Sequence, residues 1–421
     1  MIAAKLLAMS WGTRLLTAVV VFVSALALAA PALAKDPPAT TWQTNGRVRA
    51  IAFSGGVMYF GGSFTSVRPT GASGPARARQ NAAAIDVASG RLLPWNPHPN
   101  GQVFSIAISG RTAFVGGTFS KIGGARRANL ARVGLGIGTA KGWNPGTNAT
   151  VDVARIGPNG NLFVGGQFTR VAGRHRSRIA SFKPSGRLGT WAPRLGQISG
   201  SACPPRCHPV VFSIAFSPNH DSVYIGGHFG LVNGVARNEA AKVPINSGGT
   251  TLRFNPDIYA AANCPTCTTV ETSRVYNIIP KPGRIYTCGG YWKVNGNQQS
   301  YNVSSFNPRT GKLQTSFRGE DDGDTVGCAI RKNVMYVGGH FNVAGFGCTP
   351  AQLGNCSTRH HVAAFDAATG HVLAWNPDAN SVHGLLVITP SEHAVGFGGY
   401  FTRMGGTNSQ GIALYRHLPK A

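Results

Sequence analysis

One phrase recurs along the chain and limits the possible folds more than any other feature. "MYFGGSF" at 58–64 returns as "AFVGGTF" (113–119), "VYIGGHF" (223–229) and "MYVGGHF" (335–341). The glycine doublets are Gly61-Gly62, Gly116-Gly117, Gly165-Gly166, Gly226-Gly227, Gly289-Gly290, Gly338-Gly339 and Gly398-Gly399. Each follows a strand-like run and precedes an aromatic: Phe64, Phe119, Phe168, Phe229, Trp292, Phe341 and Phe401. A period of roughly 50 to 60 residues marks a structural unit that cannot bury its apolar face alone, so neighbouring copies must share a core.

Four runs surround each doublet. An apolar run such as "VRAIAFSG", "VFSIAISG" or "VFSIAFSP" comes first, then the glycine strand. A polar loop leads to a third run ("NAAAIDVASG", "NVSSFNPRTG", "HVAAFDAATG"), whose "SG" or "TG" signals a tight turn. The fourth run ends in "PWNP" (94–97), "GWNP" (142–145), "TWAP" (190–193), "RFNP" (253–256) or "AWNP" (374–377). Its proline halts the strand and begins a crossover. Four short strands per unit, without helical periodicity, predict an all-β chain folded as a seven-bladed β-propeller of four-stranded blades. The last unit, "GIALYRHLPKA", lacks a fourth run, while Trp42 and Asn45 stand ahead of the first unit where a W-N-P run and crossover would fall. The N-terminal strand is therefore expected to complete the last blade and hide its open edge.

"MYVGGHF…HVAAFDAATGHVLAW" resembles a kelch-type blade: apolar strand, glycine doublet, aromatic-Asp-x-x-Thr-Gly turn and tryptophan. The aromatic just after the doublet and the W-N-P ending depart from kelch spacing. They are more similar to a repeat of secreted bacterial propellers whose function is generally unassigned. The resemblance spans nearly the whole mature chain. It implies a propeller and no particular activity, because this fold hosts many functions.

Residues 1–34 read as a secretory signal peptide: Lys5 and Arg14, an apolar core from Leu15 to Ala30, and an A-x-A site at Ala32 and Ala34. Residues 35–421 are then the single propeller domain, secreted and with no membrane span after cleavage. Eight cysteines suit an oxidising space. Cys203 with Cys207, Cys264 with Cys267, and Cys348 with Cys356 are close pairs, and Cys288 and Cys328 remain in neighbouring repeats. Two short Cys–Cys steps also allow a four-sulfur zinc site, which export disfavours. Forty Lys and Arg against fourteen Asp and Glu give a net charge of +26, which favours anionic partners. Nucleic acid is disfavoured, for want of interleaved aromatics on which single strands stack.

Arg79, Arg127, Arg176, Arg237 and Arg359 each precede a third run by two residues, a placement that suggests a spoke bonded to backbone carbonyls. Asn45, Asn100, Asn148 and Asn380 fall in the crossovers and are expected to surround the channel mouth with Asp152 and Asp378 as ligand-binding groups. "GEDDGDT" (319–325) reads as a solvated acidic turn in which Asp321, Asp322 and Asp324 are candidate Ca²⁺ ligands, off the EF-hand spacing. No G-x-S-x-G or H-E-x-x-H occurs. The expected function is a secreted, monomeric, non-enzymatic binding or scaffold propeller for an extracellular or envelope partner: an anionic polymer, glycan or protein. The alternative is a carbohydrate-active enzyme using acids or histidines at the channel mouth.

Overall fold

The computed structural model describes residues 37–39, 42–71, 74–197, 208–259, 273–296, 298–349, 352–381 and 383–420. Residues 1–34 and Cys203, Cys207, Cys264 and Cys267 lie outside them. Every regular element among the described residues is a β-strand. Each repeat contributes a three-stranded antiparallel sheet with the glycine strand in the middle. In repeat 1 the strands are Arg47–Ser54, Val57–Ser63 and Ala82–Asp86; in repeat 2, Val103–Ser109, Thr112–Gly117 and Leu130–Gly134. The first strands of later repeats are Val151–Ile156, Val210–Phe216, Arg274–Lys281, Asp324–Arg331 and Leu385–Pro390. Each first strand neighbours that of the next repeat, and Leu385–Pro390 neighbours Arg47–Ser54.

The doublet's two glycines answer two different crowding problems. The first glycine faces the next sheet: a Cβ at Gly116 would stand 2.7 Å from Val151 Cγ1, and one at Gly61 would stand 2.5 Å from Val103 Cγ1. The second faces its own sheet, where a Cβ at Gly62 or Gly117 would meet the carbonyl of Arg47 or Gln102 at 2.0 Å. Sheets can thus approach backbone to side chain, and buried valines fill the seam.

Repeat 5 departs from the expected frame. The residue opposite the extra position of its first strand is Cys288, not Gly289, and the buried aromatic that follows is Tyr291, not Trp292. Asn302 N donates to Tyr291 O as His361 N does to Phe341 O, and Tyr291 N donates to Asn302 Oδ1 at 3.2 Å. At this seam Cys288 replaces the first glycine and forms a disulfide with Cys328 of repeat 6. Thr325 takes the place that valine holds at most other seams.

The fourth run is shorter than expected. It joins the third strand through isolated bridges such as Ile85↔Leu92, Val133↔Ala140 and Phe365↔Val372, because its proline removes a ladder donor. Side chains hold it instead. Trp95, Trp143 and Trp191 donate from Nε1 to backbone carbonyls of the following repeat at Gly134, Gly186 and Pro244. Each stands edge-on to an aromatic of its own glycine strand, as Tyr59–Trp95 does at 5.1 Å, worth about 0.5–1.5 kcal/mol per pair beyond burial. Trp42 makes the equivalent bond to Gly90 O at 3.1 Å, and Ala39 N donates to Leu414 O beside the last strand, Ile412–Tyr415.

The five arginines behave as spokes. Arg127 donates through Nη1 to Arg126 O at 2.7 Å and through Nη2 to Lys141 O at 2.7 Å, tying its hairpin to the fourth run. Arg79, Arg176, Arg237 and Arg359 repeat the arrangement.

Candidate functional site

The ladder between first and second strands carries one extra residue at the same place in every repeat. The register skips between Val48 and Ala50, Val103 and Ser105, and Val151 and Val153, and likewise in the other four sheets. A bulge leaves its extra residue outside the ladder and re-aims its side chain. In the first three repeats these residues are Arg49, Phe104 and Asp152, and in the others Phe212, Tyr276, Val326 and Leu386. All of them line one central cavity of about 190 Å³.

Small polar side chains beside the bulges stitch the first strands together. Ser105 Oγ accepts from Ala154 N at 2.8 Å, Ser213 Oγ from Ile278 N at 3.1 Å, and Asn277 Nδ2 donates to Val326 O at 2.7 Å. Two guanidinium groups stand apart from this stitching. Arg49 lies over the Phe104 ring at 5.0 Å, and its buried Nε has no hydrogen-bond partner. Arg155 keeps solvent access along the channel and donates to Ala154 O at 3.1 Å. Protein surrounds it, and burial lowers its pKa with no carboxylate beside it to compensate. Asp152 accepts from Gln167 Nε2 at 3.3 Å; burial pushes its carboxyl up to about 7 against the opposing pull of that bond and of Arg49. Phe212 and Tyr276 rings meet at 5.3 Å.

Around the entrance, Arg47 bonds to Tyr400 Oη and to Gln102 Oε1 at 3.3 Å. Buried Glu239 takes bonds from Ser273 Oγ at 2.9 Å and Phe229 N at 3.0 Å, with His228 Nδ1 at 3.3 Å. The serine hydroxyl is therefore directed to the carboxylate rather than to the imidazole. Asp324 feels Arg274 and His340, yet burial raises its pKa.

The asparagines expected at the mouth clamp their own hairpins. Asn148 Oδ1 accepts from Thr169 N at 2.9 Å and Arg170 N at 2.8 Å, while its Nδ2 donates to Thr169 Oγ1 at 2.9 Å. Asn45, Asn100 and Asn380 do the same, and Asp322 takes the asparagine's place in repeat 6 by accepting from Asn342 N and Val343 N. Asp378 pairs with His360 Nδ1 at 2.8 Å. Of the six residues expected to bind ligand, Asp152 lines the central cavity.

The acidic segment is not a solvated turn. Glu320 and Asp321 form a short strand against Val343–Thr349 and are 6% and 0% exposed. Asp321 is bonded by Thr325 Oγ1 and by Asn302 Nδ2 at 3.1 Å, and burial raises its pKa well above the usual carboxylate range. Asp321, Asp322 and Asp324 thus have three separate sets of partners. Among the described residues no three His, Cys, Asp or Glu side chains come together as a metal-holding group. Cys348 and Cys356 form a second disulfide, within the hairpin of repeat 6.

A feature absent from the sequence reading lies on the hairpins that connect second and third strands. In repeats 7, 1, 2 and 3 these hairpin strands expose Arg403, Arg68, Arg77, Lys121, Arg126, Arg170 and Arg174. Lys121 sits directly opposite Arg126, and Arg170 opposite His175. The hairpin strands of repeats 4, 5 and 6 carry one basic residue, Lys293. Their sector exposes Val235, Tyr259 and Phe346 instead. Among the described residues the ion pairs are His228–Glu239, His360–Asp378 and His393–Glu392, so none of the seven exposed cations is neutralised by a carboxylate.

No protein-family model and no curated protein matches the sequence, so the kelch-like resemblance has no family match behind it. Solved structures do match. The computationally designed Ika8 protein is 13% identical with a TM-score of 0.48, over 89% of this chain and 98% of that one. The WD40 β-propeller domain of Doa1 is 8% identical with a TM-score of 0.51, over 90% of this chain and 96% of that one. The chain has a β-propeller fold.

Proposed function

We propose that this chain is a secreted, seven-bladed β-propeller, closed by its N-terminal strand, that binds an anionic extracellular polymer through the basic hairpin sector of repeats 7, 1, 2 and 3. The observation that carries the reading is the like-charge pair built into that sector. Lys121 faces Arg126 across an antiparallel ladder, and like charges so placed cost stability unless a counter-charge arrives. A polymer with repeating negative groups supplies it. Closure draws support from Trp42, whose bond to Gly90 O copies those of Trp95, Trp143 and Trp191, and from the contact between first strands of repeats 7 and 1. Two disulfides are compatible with an extracellular setting, and no helix of the described residues is long and apolar enough to cross a membrane.

The test is retention on isolated cell walls and on a polyphosphate matrix across a sodium chloride series. The reading predicts tight retention that falls steeply as salt shortens the screening length from about 10 Å at 0.1 M to about 3 Å at 1 M. Lys121→Gln with Arg126→Gln should elute at clearly lower salt. Retention insensitive to salt, elution unchanged in the double variant, or hydrolysis of a wall glycan would overturn it.

A further inference from the structure

The central cavity is a second site, independent of the hairpin sector. We propose that it binds a small carboxylate, held by the guanidinium groups of Arg49 and Arg155 and flanked by the Phe104, Phe212 and Tyr276 rings. Three observations converge on that chemistry. The bulge in each ladder turns one side chain per repeat toward the cavity, and the five repeats bearing a polar or aromatic bulge residue are consecutive. Two cations lie in this lining with uncommitted donors: the buried Arg49 Nε has no partner, and Arg155 gives one bond to a backbone carbonyl. A buried, unpaired donor carries a free-energy penalty that an anionic acceptor removes. The neighbouring Ser105, Ser213 and Asn277 are already bonded across the strands and do not compete.

Size narrows the ligand class. A cavity of about 190 Å³ is below the roughly 300–1,000 Å³ of drug-sized pockets, so the occupant is one small molecule or one terminal residue rather than a chain. Rings at Phe104, Phe212 and Tyr276 favour a flat or partly apolar body behind the carboxylate, such as an aryl carboxylate or a uronic acid. Asp152 supplies a pH dependence. The charged group facing it is Arg49 from repeat 1, and Gln167 is its neutral partner. Protonated, it leaves both guanidiniums to the ligand. Ionised, it pairs with Arg49 and repels the ligand.

Calorimetric titration of the purified protein with benzoate and with glucuronate tests this, using benzamide and glucose as uncharged counterparts. The expected result is one-to-one saturable binding of at least one carboxylate and of neither uncharged counterpart. Arg49→Gln and Arg155→Gln should each weaken it by about tenfold, the scale of one charge-assisted bond pair. Affinity should fall between about pH 6 and about pH 8 in the parent and stay level in Asp152→Asn. If Arg155→Gln fails to fold, Arg49→Gln decides the matter alone. Saturation by neither carboxylate, equal binding of the uncharged counterparts, or unaltered affinity in folded Arg49→Gln would overturn the proposal. A parent affinity level across that pH range would remove Asp152 from it.

Discussion

Replacing Asp152 with asparagine should stabilise the protein, and only above mildly acidic pH. Its carboxyl is pushed from the ordinary 3.8 up to about 7, burial being the largest cause. As pH rises, the unfolded chain therefore gives up this proton first, and the folded state loses stability between the two pKa values. At about 1.4 kcal/mol for each tenfold, the gap corresponds to about 4 kcal/mol, a ceiling because the side chain keeps some contact with channel water. Asparagine retains the shape and an oxygen for the Gln167 bond while removing the charge. Urea unfolding followed by tryptophan fluorescence, run from about pH 4 to about pH 9, should show curves that coincide at the acid end and separate toward neutrality. Above about pH 8 the variant should lead by as much as about 4 kcal/mol. Other buried acids, such as Glu239 and Asp321, slope both curves alike and cancel in the difference. Parallel curves, or a variant less stable at pH 8, would refute the reasoning.

Further outcomes follow from the seams and clamps. Gly116→Ala should cost about 1–3 kcal/mol in unfolding free energy, because the added Cβ is 2.7 Å from Val151 Cγ1 in a filled seam. Cys288→Ser with Cys328→Ser opens a bridge spanning 40 residues, and the denaturation midpoint should fall by an amount equivalent to about 4 kcal/mol. Asn148→Ala should cost about 0.5–1.5 kcal/mol and raise amide exchange at Thr169 and Arg170, whose solvent-facing N–H groups lose their shared acceptor.

The repeat was legible because glycine pairs are rare enough to keep their period visible, and each glycine meets a neighbour that no Cβ could tolerate. The arginine spokes were legible for the same reason: five identical residues in register answer to the same carbonyls. The bulge was not. "VRAI", "VFSI" and "VDVA" read as uninterrupted strands, and a one-residue slip leaves no mark on composition while changing which side chain enters the channel. The frame shift in repeat 5 was hidden because the doublet of "TCGGYW" stands one residue late: cysteine takes the crowded place and Gly290 lies beside Asp324. The hairpin clamp of the crossover asparagines was not legible either, because it rests on two backbone N–H groups about 20 residues away, as Asn100 accepts from Ser120 N and Lys121 N. Acids at 320 and 321 suggest solvent by type, but the strand they form is buried under the Cys348–Cys356 hairpin.

Hydrogen–deuterium exchange with and without bound polyphosphate tests the central claim most directly. A basic sector that binds anions predicts protection confined to the hairpins around Arg68 and Arg77, Lys121 and Arg126, Arg170 and Arg174, and Arg403. Protection centred on the hairpins bearing Val235 and Phe346, or spread evenly over all repeats, would contradict it.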